Sequence, residues 1–248
     1  MSKLSLENIR PVASNRIKPF LDEIINAYGE NIHSLYITGT AITEDFHEER
    51  SDVNSICVLK EMNFKFFELL ASLGRRYSRQ KIAAPLIMTQ RYIHASRDVF
   101  PIEFLNFKLI HETIFGEDIL KGLEIGMTDL RRQCERELKV KLISLGQGYI
   151  SSLGDRKILT EGIARSITGD IPLFRGIIYL FGKEPPVRQH AVIKSLSEAS
   201  RTDTEVLDRV LRMKHEKIKL SLEELNAIFG DYYAAIEKLG EIVDGIKA

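Results

Sequence analysis

The chain has 248 residues, enough for one large domain or two modest ones, and its composition (44% hydrophobic, 28% charged, 8% aromatic, no Trp) is that of a folded globular protein. Lys plus Arg and Asp plus Glu both number 35, so the net charge is zero, no global field draws in an anionic surface, and nucleic acid is disfavoured as a partner. The opening residues, MSKLSLENIRPVASNR, lack the apolar core of a secretory signal, no run is long enough to span a bilayer, and Cys57 and Cys134 show neither CxxC spacing nor a neighbouring His; a cytoplasmic protein with no membrane partner and two buried, reduced thiols is expected.

Ile17, Phe20, Leu21, Ile24, Ile25 and Tyr28 recur at helical spacing, which predicts a helix over 16–28 with Pro19 in its first turn and Gly29 after its end. The β-branched, apolar run 34–38 predicts a strand that stops at Gly39. A short helix should follow, with Ala41, Ile42 and Phe46 toward the sheet and the acidic remainder solvated. A second strand is expected over 53–59. Residues 64–77 form an amphipathic helical pattern that turns Phe64, Phe67, Leu70, Ala71 and Leu73 inward and ends in Arg75, Arg76, Arg79 and Lys81, where cations offset the helix dipole. Residues 86–89 read as a third strand and 90–96 as a turn or short helix. The run 101–108, PIEFLNFK, alternates as a strand would, with Glu103 on the face of Leu105 and Phe107.

From about Gly126 the period becomes helical. Leu130, Cys134, Leu138, Leu142, Leu145 and Tyr149 predict one long helix over 128–153, weakened near Gly146 and Gly148. Further helices are expected over 157–168 and 172–182, with a break at Pro185-Pro186 and a restart over 187–199. Thr202 with Glu205 and Ser221 with Glu224 have the spacing of capping boxes, and Arg212, Lys214, Lys217 and Lys219 read as a solvated basic face. The fold class expected is α+β: a mixed sheet flanked by helices over 1–122, then an all-α bundle over 123–248 whose apolar faces also permit a homodimer.

Transfer of a nucleotidyl group needs phosphates held in line and two Mg²⁺ ions about 3.5–4 Å apart. Mg²⁺ takes hard oxygen ligands, and carboxylates at i and i+2 of one strand point to the same face, where a third from elsewhere closes the cage. Gly followed by a small hydroxyl residue offers backbone N–H groups and a side-chain donor to phosphate. Gly39-Thr40 has that form, Asp52 and Asn54 take the paired positions, and Glu103 comes later.

In this order and spacing the first 120 or so residues resemble the DNA polymerase beta-like nucleotidyltransferase superfamily, whose motif is an apolar strand, Gly-Ser, a short helix, Asp-x-Asp on the next strand and a third carboxylate further on. A helical C-terminal domain is carried by the aminoglycoside nucleotidyltransferases and their bacterial relatives, and residues 111–120, HETIFGEDIL, are similar to the apolar-Gly-x-Asp-x-Leu junction that follows the third acidic strand there. The resemblance implies a Mg²⁺-dependent transfer from a nucleoside triphosphate to a hydroxyl acceptor that the sequence does not identify. Gly39 and Thr40 would bind the nucleotide, Asp52 and Glu103 would be catalytic and hold metal, and Asn54 would be a degraded metal ligand. Thr40 for Ser keeps the hydroxyl and Glu103 keeps its charge, whereas Asn54 lowers the cage from three negative charges to two. The alternative is a non-catalytic nucleotide- or protein-binding regulatory module on the same fold.

Overall fold

Pro11 occupies the first position of α1 (Pro11–Tyr28), where its missing N–H would have made no helical bond. Pro19 therefore lies inside the helix and not in its first turn. The buried stripe Ala13, Ile17, Phe20, Leu21 and Ile24 extends to both sides of it and holds the helix on the core across one lost backbone bond. A computed structural model of the protein describes residues 4–215 and 220–247, which pack as two units: 1–97 with 107–124, and 98–106 with 125–248.

The first unit is built on β1 (Ile32–Thr38), β2 (Asn54–Leu59), β3 (Leu86–Thr89) and β4 (His111–Gly116). Among the described residues these form one sheet in the order β3-β2-β1-β4, with β1 antiparallel to both neighbours and β3 parallel to β2. Leu35, Ile37, Cys57 and Leu59 on one sheet face share a core with α1 and with Phe66, Leu73 and Tyr77 of α2 (Phe64–Tyr77). The inward face of α2 is thus turned from the expected one. Phe66, Leu69, Leu70, Leu73 and Tyr77 follow helical spacing, and Phe66 and Tyr77 meet Tyr28 and Phe20 edge to face at 5.2 and 5.6 Å. Phe64 is left 74% exposed and Phe67 41%.

After β1 the chain makes only a 3₁₀ turn, Gly39–Ile42, and no α-helix. Thr43 explains the stop, since its hydroxyl accepts from the Asp45 N–H at 3.2 Å and offers the backbone a turn in place of a helical bond. β3 runs into α3 (Gln90–Ser96), capped by the Thr89 hydroxyl on the Tyr92 N–H at 3.1 Å.

Residues 101–108 are not a strand. They lie in α4 (Pro101–Leu109), where Pro101, Ile102, Phe104 and Leu105 are buried and Asn106 Nδ2 donates to the Ile102 carbonyl one turn back at 2.8 Å. The run is short and its polar residues, Glu103, Asn106 and Lys108, are too few to choose between alternation and helical spacing. The fourth strand is β4, ten residues further on.

The second unit is helical. α5 (Met127–Ser151) runs unbroken through Gly146 and Gly148 and buries Leu130, Cys134, Leu138 and Leu145. α6 (Arg156–Ser166) is capped by Asp155, α7 (Asp170–Leu180) is almost wholly buried, and α8 (Gln189–Ser200), α9 (Glu205–His215) and α10 (Leu222–Asp244) follow. The expected box at Thr202 is absent: the Thr202 hydroxyl donates to the Ser200 carbonyl, and the Glu205 N–H is taken by Asp203 Oδ1 at 2.9 Å. Of the basic run, Arg212 is paired with Asp208 at 3.2 Å, and Lys217, Lys219 and the Lys214 side chain lie outside the described residues.

The box at Ser221 is complete. Ser221 Oγ accepts from the Glu224 N–H at 3.2 Å, and Glu224 Oε2 accepts from the Ser221 N–H at 2.7 Å. Ser221→Ala is expected to cost about 1 kcal/mol in urea unfolding. The Ser221 backbone N–H and hydroxyl hold the Glu224 carboxyl below its usual range. Its contribution is therefore full above the unfolded pKa and is lost as pH falls through the lower folded value, so the cost of Ser221→Ala should shrink in acid.

Candidate functional site

Thr38 leaves β1 extended and Gly39 turns the chain at φ +71°. Glycine is needed there for its left-handed backbone, and an added Cβ would also stand 3.4 Å from Asn54 Nδ2. The register explains the closeness, because Thr38 pairs with Asn54 on β2. Thr40 follows half-buried, its carbonyl accepting from the Thr43 N–H at 2.9 Å, and its hydroxyl has no partner among the described residues.

Asp52 and Asn54 are both exposed and flank Val53, which is fully buried, so the alternation places them on one face. Val53 is fixed by its backbone: its N–H donates to the Lys81 carbonyl at 2.8 Å and its carbonyl accepts from the Ala83 N–H at 3.1 Å. Gly39, Thr40, Asp52 and Asn54 therefore come together at one end of the sheet. The Asp52 carboxylate forms no hydrogen bond or ion pair with the described residues.

Two further findings define what that end holds. β3, which lies beside β2, is Leu-Ile-Met-Thr and adds no acid; Leu86 stands opposite Ile56, on the face of Asn54, and is 51% exposed. Glu103 belongs to α4 and to the helical unit, where it is exposed between buried neighbours and its Oε2 accepts from Gln133 Nε2 at 2.8 Å.

His111, one of several scattered histidines in the sequence, opens β4 opposite Thr38, so Asn54, Thr38 and His111 form one rung across three strands. Its Nδ1 lies 2.7 Å from the Phe107 carbonyl and its Nε2 2.9 Å from Asp118 Oδ1, within the junction segment 111–120. Tyr36, beside it on β1, donates to the Glu117 carbonyl at 2.6 Å and accepts from the Ile119 N–H at 3.1 Å. The junction is thus tied to the rung by side chains of two strands. Only the pairing of β4 with β1, some 70 residues upstream, reveals this role for His111.

On α5, Arg131 pairs with Glu135 at 3.0 Å, one turn on, and Lys139 closes on the same carboxylate. Both thiols are free and buried, and burial pushes Cys57 up to about 12 and Cys134 further, with the Glu137 and Glu103 charges adding to the latter.

The donors at the end of the sheet are one carboxylate, Asp52, and one amide, Asn54, with His111 committed to its own partners. Among the described residues no group of three or more His, Cys, Asp or Glu is placed to hold a metal ion. Two dications need more negative charge than this one unit supplies, so a two-Mg²⁺ centre would require a further carboxylate. No helix of the described residues is long and apolar enough to cross a membrane.

No family model and no curated protein matches the chain. Among solved structures it is similar to the spectinomycin adenyltransferase AAD(9) from Enterococcus faecialis, determined with ATP and spectinomycin, with a TM-score of 0.53 and 16% identity over 91% of this chain and 98% of that one. At that identity the likeness is one of fold: the chain shares the α+β architecture of that adenyltransferase, the fold class expected from the sequence.

Proposed function

We propose that the protein binds a nucleoside triphosphate at the Gly39-Thr40 turn, with Asp52 and Asn54 beside the phosphates, on a nucleotidyltransferase fold whose metal cage is reduced. The observation that carries this reading is the cluster itself. Among the described residues the Thr40 hydroxyl and the Asp52 carboxylate have no hydrogen-bond partner, and both lie close to the Gly39 turn and to Asn54, which the register pairs with Thr38. The ATP in the similar spectinomycin adenyltransferase supports the ligand class. Thr40 would donate to phosphate oxygens, and Asp52 would take the ion that accompanies a triphosphate in solution.

Calorimetric titration with ATP, CTP, GTP and UTP, each with and without Mg²⁺, tests this. Binding is expected for at least one, with the Mg²⁺-dependent part reduced tenfold or more in Asp52→Ala. Asn54→Asp should raise the Mg²⁺ dependence by roughly tenfold, because it restores a charged ligand beside Asp52. If no triphosphate binds, the reading is wrong.

A second reading, transfer to a hydroxyl acceptor, requires a third carboxylate. Glu103 is the candidate, because it is the one exposed acid in a buried stretch and only one of its oxygens is engaged. Pyrophosphate release that is abolished in Glu103→Gln would establish that reading over binding alone.

A further inference from the structure

Between α5, α6 and α10 the helical unit holds a pocket of about 100 Å³ that the nucleotide reading does not use. Leu145, Leu159 and Ile163 are buried at its floor. Tyr149 and Phe229 form one wall, their rings 4.5 Å apart, and the Tyr149 hydroxyl is held by Asn226 Oδ1 at 3.2 Å. The polar end is Lys141 and Ser166.

The chemistry of Lys141 is informative. Its ammonium donates to the Ser166 carbonyl at 2.6 Å and to Asp170 Oδ1 at 2.8 Å. An ammonium has three N–H donors, and beyond these two bonds Nζ meets only the face of the Tyr232 ring, 5.7 Å away at its centroid, with no oxygen or nitrogen acceptor for the third N–H among the described residues. The charge, in contrast, is already matched by Asp170, so the pocket offers a hydrogen bond without a net field.

The glycines point the same way. Gly148 of α5 and Gly162 of α6 line the pocket from helix interiors, where glycine is disfavoured, and a Cβ added to either would meet nothing within 4 Å. Neither is required by close packing, and larger residues there would fill the opening. An engineered apolar cavity of roughly 150 Å³ encloses benzene, so this pocket, at about 100 Å³, would enclose a single ring only in part.

We propose that this pocket binds a neutral, single-ring aromatic molecule bearing one hydrogen-bond acceptor, with the ring on Leu145, Leu159 and Ile163 and the acceptor on Lys141 Nζ. Phenol is the probe. In a methyl-observed NMR titration of the full chain, phenol should shift the methyl signals of Leu145, Leu159 and Ile163 saturably. Benzene, which lacks the acceptor, should bind about tenfold more weakly, and benzoate should gain nothing over phenol from its charge. Gly148→Ala with Gly162→Ala should weaken phenol binding at least tenfold while keeping the fold, since alanine favours both helices. Gly146→Ala, on α5 but off the pocket, also meets nothing within 4 Å and should leave phenol binding unchanged. Unshifted floor methyls at saturating phenol, or a double-alanine variant that binds phenol as the parent does, would overturn the site. Equal affinity for benzene and phenol would overturn the part given to Lys141. None of these readouts involves nucleotide, so the two sites stand or fall separately.

Discussion

Replacing Lys141 by methionine should lower stability by about 3–5 kcal/mol at neutral pH, and adding Asp170→Asn to the same chain should recover most of that loss. The pair is deep: Lys141 Nζ and Asp170 Oδ1 are 2.8 Å apart, with side chains 11% and 8% exposed. Asp170 also accepts from the Tyr232 hydroxyl at 2.6 Å, and Tyr232 in turn accepts from Ser166 Oγ at 3.2 Å. Removing the cation alone strands a carboxylate that, among the described residues, the Tyr232 hydroxyl alone then serves, whereas removing both charges leaves an amide that can still accept from Tyr232.

The pH dependence follows from Asp170. Burial raises its pKa above the usual value and outweighs the lowering by Lys141 and Tyr232, while the same burial, with Asp170 beside it, pushes the Tyr232 phenol upward. A carboxyl whose folded pKa is raised contributes most below the unfolded pKa, and that contribution is lost as pH rises through the folded value. Lys141→Met removes one of the two lowering influences, so its cost should be smaller at pH 5 than at pH 8, and in the double variant the difference should vanish. Urea unfolding at the two pH values measures both.

Gly116→Ala should be at least as damaging, for a different reason. Gly116 ends β4 at φ +78°, and a Cβ there would lie 2.0 Å from the His33 carbonyl oxygen and 2.9 Å from Ser34 Cα. Both are backbone atoms of β1, the strand with which Gly116 pairs through Ser34, so no side chain can swing aside. The clash can be relieved only by parting β4 from β1. A loss of about 3 kcal/mol or more is expected, seen as a lowered Tm and as faster amide exchange over 111–116. Gly122→Ala, which meets nothing within 4 Å, should stay within about 0.5 kcal/mol of the parent. Because β4 carries His111 into the rung with Thr38 and Asn54, Gly116→Ala should also weaken any triphosphate binding.

What could be read from the residues was whatever one period alone explained. The central strands are continuous apolar, β-branched runs buried at nearly every position, the bundle helices repeat every three to four residues, and the turn at Gly39 follows from a glycine after such a run. Asp52 and Asn54 share a face because Val53 between them must be buried. Residues 101–108 carry too few polar positions to fix a period, and their state is set by partners such as Gln133, whose Oε1 takes the Ile102 N–H at 2.8 Å. α2 is turned one step around its axis from the face its apolar pattern predicts, because Phe66 and Tyr77 pack edge to face on Tyr28 and Phe20 of α1. The rung at His111 depends on which strands become neighbours, which no local pattern encodes.

The course of the chain bears on how this protein could be dissected. Residues 98–106 pack with the helices, the next 18 return to the sheet, and only then does the long helix begin. Asn106 Oδ1 accepts from the buried Arg175 at 3.0 Å, and Ile102 comes within 3.5 Å of where a Cβ on Gly176 would lie. An expression fragment cut at 125 would thus lack a splint from upstream and leave an arginine without its amide, while one ending at 97 would lack an edge of its sheet. The two halves are interleaved in the gene and are not separable cassettes. Swapping the helical half for that of a relative would need two grafts, one of them nine residues long.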